Sequence, residues 1–292
     1  MKLNNLLPLC GKIRIEMNRV KRIVCMAVVL GMSFAVHAQT YHEVVEKAMA
    51  YTLSDSLVQA EQLFQQALKM DPVNARNALL FSNLGTVQKR QGKMDDAIES
   101  YTLALNITPY ATTILLNRAA LYLDKGQNDK AYVDYCNVID LLPENEEARL
   151  FRAYIYMNRR QYDEARVDYN VIIGKNPSHK SARIGLVLID QNTGKMNSAH
   201  NSLNLLVNDF PTDASLLKMR ANLELEENFL DAALVDLEEA ARLDATDAET
   251  YCQIGDVCLQ LHKKEEARKA FEKAITLGIP RVQLQDKLKA CK

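Results

Sequence analysis

The chain is short of nearly everything that catalysis requires. Its five histidines, His37, His42, His179, His200 and His262, show no metal-ligand spacing such as H-E-x-x-H; they fall near the N-terminus or near expected helix ends and read as solvated surface side chains. There is no G-x-S-x-G, no phosphate-cradling glycine loop and no C-x-x-C, which points away from serine hydrolases, nucleotide binders and zinc or thioredoxin-like chemistry. Tryptophan is absent and the formal net charge is only -1, so neither an aromatic-and-basic stripe nor a basic bias invites nucleic acid. Carboxylate pairs do occur, as Asp95-Asp96, Glu226-Glu227 and Glu265-Glu266. They recur near the expected turn between paired helices, and negative charge at the start of a second helix is favoured without any catalytic role. No catalytic residue, metal or cofactor is expected.

Long apolar runs are equally scarce. The stretch Ile23 to Val36 has 14 residues, short of the roughly 20 a helix needs to cross a bilayer. It follows the basic Asn18-Arg19-Val20-Lys21-Arg22 and leads into Val36-His37-Ala38, the charge, apolar segment and small-residue exit of a secretory signal. Cleavage after Ala38 would leave Gln39 first; a retained anchor is the other reading, and Met17 could serve as the true start. Residues 1–38 are thus expected to be a leader, and 39–292 the body of a protein exported to the periplasm or another extracytoplasmic space. That body holds 30 basic and 36 acidic residues, a surplus that favours solubility more than any one partner.

What is present is a period. Ala60, Ala97, Ala131, Ala165, Ala199, Ala233 and Ala267 are spaced by 37 residues and then by 34 throughout. Four residues after each alanine stands Phe64, Tyr101, Tyr135, Tyr169, Leu203, Leu237 or Phe271, and three further on a smaller or aliphatic residue, which marks one helical stripe. Pro72, Pro109, Pro143, Pro177 and Pro211 then close the second helix. The blocks run 41–77, 78–111, 112–145, 146–179, 180–213, 214–247 and 248–281, with a capping helix expected over 282–292. In the third, fourth and sixth blocks an arginine on the first helix accompanies an aspartate on the second: Arg118 with Asp134, Arg152 with Asp168, Arg220 with Asp236. At those two places, the seventh and twenty-third residues of a block, the other four blocks have neither, as an intra-block ion pair demands if losing one partner strands a charge.

These small, aromatic and proline positions resemble the tetratricopeptide repeat family. The resemblance implies an all-α, right-handed superhelical solenoid of seven helix-turn-helix repeats, a non-catalytic scaffold for proteins or peptides, with the first helices lining an inner groove. Carried over by position, that groove presents Ser82, Thr86 and Lys89, then Leu116, Ala120 and Leu123, then Leu150, Tyr154 and Met157, then Ile184, Leu188 and Gln191, then Lys218, Asn222 and Leu225. The middle is apolar and suits an apolar-faced peptide or helix, with Lys89, Lys218 and Asn222 as polar rim. Packing between neighbouring helices, or against the chain's own N-terminus, is the structural alternative. Burial of the stripe in a self-associating homo-oligomer is the functional one. A carboxylate clamp like that of related co-chaperones would match Lys218 and Asn222, but Gln253 replaces its next asparagine and no third repeat follows. Cys258 and Cys291 could bridge across the cap; buried thiols are the other expectation.

Overall fold

The computed structural model describes residues 41–292; the expected leader lies outside the described residues. Among the described residues there is no strand, and the fold is all-α, a series of consecutive helix pairs joined by tight turns. The chain divides into two compact units at Leu141 and Leu142. The first contains α1 (41–53), α2 (Leu57–Met70), α3 (Asn77–Arg90), α4 (Met94–Ile107), α5 (Thr112–Asp124) and α6 (Asn128–Leu141). The second contains α7 (Glu146–Asn158), α8 (Tyr162–Lys175), α9 (Lys180–Asn192), α10 (Met196–Asp209), α11 (Ala214–Glu226), α12 (Leu230–Leu243), α13 (Ala248–Gln260) and α14 (Lys264–Thr276), then a 3-10 turn (Arg281–Leu284) and α15 (Gln285–Ala290).

Helices of 13 or 14 residues are marginal alone, so each persists by burying a stripe against its neighbours. The seven alanines are the closest points of that packing: every one is completely buried. The aromatic or leucine four residues on is buried as well, from Tyr101, Tyr135, Leu237 and Phe271 at 0% exposed to Tyr169 at 5%. Small and large side chains thus alternate along one face, and within each unit a second helix seats against the helices of that unit that flank it.

The turn between paired helices is equally regular. Asp55, Gly92, Gly126, Arg160, Gly194, Asn228 and His262 all have positive φ, between 57° and 77°, and they recur with the same spacing as the alanines. Glycine adopts this left-handed conformation freely. Arg160 and His262 adopt it against their steric preference, held by backbone bonds on either side such as Gln161 N–H to the Tyr156 carbonyl and Lys263 N–H to the Cys258 carbonyl.

The C-terminal cap differs from the single helix expected. Pro280 is extended, a 3-10 turn follows, and α15 is only six residues long. Leu284 and Cys291 are nonetheless buried against Phe271, Cys252 and Cys258, with Leu288 packed alongside. Cys252, Cys258 and Cys291 are unbridged buried thiols, and burial pushes all three up in pKa.

Candidate functional site

The three arginine–aspartate pairs sit between paired helices. Arg118 Nε and Nη2 each donate to Asp134 at 2.8 Å; Arg152 Nε and Nη2 reach Asp168 at 2.8 Å; Arg220 Nε and Nη2 reach Asp236 at 2.6 and 2.7 Å. All three are two-pronged, the strongest geometry this pair can adopt. The aspartates are buried, at 2%, 0% and 5% exposed. Burial works against the Arg118 charge, but the Asp134 bonds outweigh it and raise its pKa; for Arg220 the Asp236 bonds are the leading cause of the same direction. The remaining prong reaches the preceding block, from Arg118 Nη1 to Thr102 Oγ1 at 3.0 Å and from Arg220 Nη1 to Asn204 Oδ1 at 2.8 Å.

Further buried polar groups are held by partners both within a block and in the neighbouring one. Arg149 also donates to Asp168, at 2.6 Å. Asp190, 5% exposed, accepts from Arg166 of the preceding block at 2.6 Å and from Ser198 Oγ at 2.5 Å. Burial raises its pKa, but these two bonds win and hold it below the ordinary range. In the first unit Glu61 accepts from Lys93 Nζ at 2.6 Å and from Gln88 Nε2 at 3.3 Å, while Ser100 Oγ donates to Gln88 Oε1. Each network partner lies on a helix next to its own, so these groups fix packing rather than form a site.

The first helices carry the expected groove residues. In the first unit Lys89 is exposed on α3, and Leu116, Ala120 and Leu123 are half-buried on α5. Ser82 and Thr86 line a cleft of about 730 Å³ with Tyr41, Val45, Leu79, Asn83, Ile114 and Asn117. The expected groove residues included none from α1 and none from the start of α5; the signal was the amides Asn83 and Asn117, each one residue from a position already named, Ser82 and Leu116.

In the second unit Leu150, Met157, Ile184, Leu188 and Leu225 are half-buried, Asn222 is exposed, and Tyr154 stands 52% exposed. Leu150 and Met157 lean on the core of Ala153, Tyr169 and Ile172; Ile184 leans on that of Leu203 and Leu206. One side of each of these aliphatic side chains packs, and the other is open. Leu188, Lys218 and Asn222 converge with Gln191, Ser215, Met219 and Glu226 around a cleft of about 630 Å³ between α9 and α11.

The polar rim is less free than its sequence suggested. Lys218 Nζ donates to Asp247 at 2.6 Å, and that bond leads the causes that depress the Asp247 carboxyl to about 2. Gln191 Nε2 donates to Glu226 at 2.8 Å and Gln253 Nε2 to Asn222 Oδ1 at 3.2 Å. What is left over is the Asn222 amide nitrogen as donor and the Gln191 carbonyl oxygen as acceptor, the pair an extended backbone needs.

Models of the tetratricopeptide repeat match residues 57–112 and 248–277. The crystal structure of a tetratricopeptide repeat protein from Parabacteroides merdae is 32% identical, and the match covers 87% of this chain and 99% of that one with a TM-score of 0.68. The chain belongs to the tetratricopeptide repeat family. DnaJ homolog subfamily C member 7 of Homo sapiens is 41% identical over 66 residues, which span 22% of this chain and 13% of that protein. YrrB, a tetratricopeptide repeat protein whose structure is described as having an unusual peptide-binding site, shares the fold at 17% identity, with 66% of this chain and 99% of that one covered and a TM-score of 0.50. Proteins of this family bind peptides or proteins and are generally non-catalytic, and the fold here is that of an interaction scaffold. No helix among the described residues is long and apolar enough to cross a membrane.

The expectation of solvated histidines fails at two repeats. His179 caps α9, its Nδ1 accepting from Ala182 N–H at 3.2 Å. His200 is drawn in by its Nε2 contact with Glu227 Oε2, its side chain only 20% exposed. Nearby, Glu224 Oε2 is buried without a hydrogen-bond partner, and burial followed by the charge of Asp236 raises the Glu224 pKa. A carboxyl raised on folding binds its proton more tightly in the native state, so it costs stability at neutral pH and ceases to do so once pH falls below its unfolded value. Glu224→Gln is therefore expected to raise the melting temperature at pH 7, with the gain vanishing below about pH 4. A melting temperature unchanged or lowered at pH 7 would show the carboxylate to be compensated.

Proposed function

We propose that the protein is a non-catalytic scaffold of the bacterial cell envelope that holds an apolar segment of a partner protein against its first helices. The observation that carries this is the cleft between α9 and α11, where Leu188 and Met219 offer an apolar wall beside the unspent Asn222 donor and Gln191 acceptor. The half-exposed Tyr154 and Leu150 extend the same kind of surface on α7. YrrB's described peptide-binding site supports peptide capture as a use of this fold. The envelope location rests on the basic, apolar and small-residue order of residues 18–38.

The test is affinity capture from an envelope extract, with peptide mapping of what is held, by the wild-type chain and by Tyr154→Glu with Leu188→Glu. Wild type is expected to retain a defined partner and the double variant to lose it at least tenfold, since a carboxylate in an apolar contact is stranded. Capture that survives in a variant of unchanged helicity would overturn the groove reading. Size that grows with concentration, and is lost in the same variant, would give the face to a second copy instead. The mass of the protein recovered from that compartment should correspond to a chain beginning at Gln39.

A further inference from the structure

Charge is unevenly divided along the body. Residues 261–292 hold nine Lys or Arg against four Asp or Glu, whereas residues 41–260 hold 21 against 32. The positive surplus is gathered on α14 and the cap, around a cleft of about 590 Å³ lined by Arg268, Glu272, Arg281, Val282, Gln285, Leu288, Lys289 and Lys292.

Some of that charge is spoken for. Arg281 pairs with Glu272, and Lys289 with Asp286 at 2.9 Å, but both pairs are solvent-exposed and weak. Arg268 and Lys292 are exposed and have no ion-pair partner among the described residues. The cations share the cleft with apolar surface: Val282 is 75% exposed at its mouth, and Leu288 packs partly on the core beneath.

We propose that this cleft is a second docking site, separate from the first-helix groove, and that its occupant is an acidic peptide segment carrying an apolar anchor residue. Charge complementarity selects the occupant. Acidic side chains would meet Arg268, Lys289 and Lys292, and the anchor would cover Val282 and Leu288. The acidic remainder of the body repels the same peptide, so binding is confined to this end of the chain.

The experiment uses the protein from Gln39 onward and a fluorescent peptide of alternating glutamate and leucine, with its glutamine and leucine counterpart as control, in binding titrations at two salt concentrations. The glutamate peptide is expected to bind, more weakly at high salt, and the glutamine peptide to bind at least tenfold less. Arg268→Glu with Lys289→Glu is expected to abolish the difference while helicity and melting temperature hold, because both side chains are exposed. Val282→Asp should weaken binding of both peptides. Equal binding of the two peptides, or unchanged binding by the charge-reversed variant, overturns the proposal. So does association with anionic vesicles, or self-association, that is lost in that variant when the glutamate peptide does not bind. Loss of the first-helix partner on Tyr154→Glu leaves this result untouched, so the two sites stand or fall separately.

Discussion

Arg118→Met should cost about 3–5 kcal/mol of stability in the first unit. The reason is what remains behind. Asp134 is 2% exposed, and Arg118 is its ion-pair partner among the described residues, holding both carboxylate oxygens at 2.8 Å. Methionine fills much of the arginine's volume, so the loss is that of a buried carboxylate left without its countercharge. Two comparisons separate this from a simple packing defect. Arg152→Met should cost less, because Asp168 keeps Arg149 Nη1 at 2.6 Å. Arg118→Met combined with Asp134→Leu should recover most of the stability lost, since an apolar pair is often as stable as the ion pair it replaces. Urea unfolding of the three variants decides it. A single variant no less stable than the double one would mean that Asp134 finds other compensation.

The ion pairs were legible in sequence because an arginine and an aspartate rose and fell together from block to block, a pattern with a physical cause. The networks of Asp190 with Arg166 and of Glu61 with Lys93 were not, because their partners come from neighbouring blocks and no repeated position betrays them. The same divide runs through the backbone. The seven alanines announce the helix pairs, and Gly92, Gly126 and Gly194 announce turns; nothing in Arg160 or His262 announces a left-handed residue, which the flanking helices impose. In the groove, the sequence correctly placed Leu188, Lys218 and Asn222 on first helices, since periodicity fixes which face a residue occupies. It could not show that Lys218 is tied to Asp247 or that Asn222 keeps only its donor, because both depend on side chains about 30 residues away. The cap was half legible: a capping helix was expected over 282–292, but Pro280 directs the chain through a 3-10 turn before the short α15. Charge segregation is countable in the sequence; that Arg268, Lys289 and Val282 surround one cleft is not.

Gly185→Ala is the sharpest test of the packing itself. A methyl group at Gly185 on α9 would stand 2.3 Å from Tyr169 Cζ and 2.4 Å from Cε2, far inside contact distance. Tyr169 cannot easily yield, being 5% exposed and wedged among Ala153, Ala165, Ile172 and Ala182. Its hydroxyl is equally constrained: burial first, and the neighbouring Asp168 second, push its pKa up to about 12. Overpacking of this kind costs about 1–3 kcal/mol or more, while the helix propensity of alanine over glycine returns about 1 at most, so a net loss is expected. Gly174→Ala makes the control. It lies within α8 with an ordinary backbone and no heavy atom within 4 Å of the added carbon, so the same substitution should stabilise by about 0.5–1 kcal/mol. Tyr169→Leu in the Gly185→Ala background should remove part of the clash, leaving the double variant more stable than the two single losses predict. If Gly185→Ala melts at or above the wild-type temperature, α8 and α9 are not held at the separation that the tyrosine and the glycine define, and adjoining helix pairs pack by some other contact.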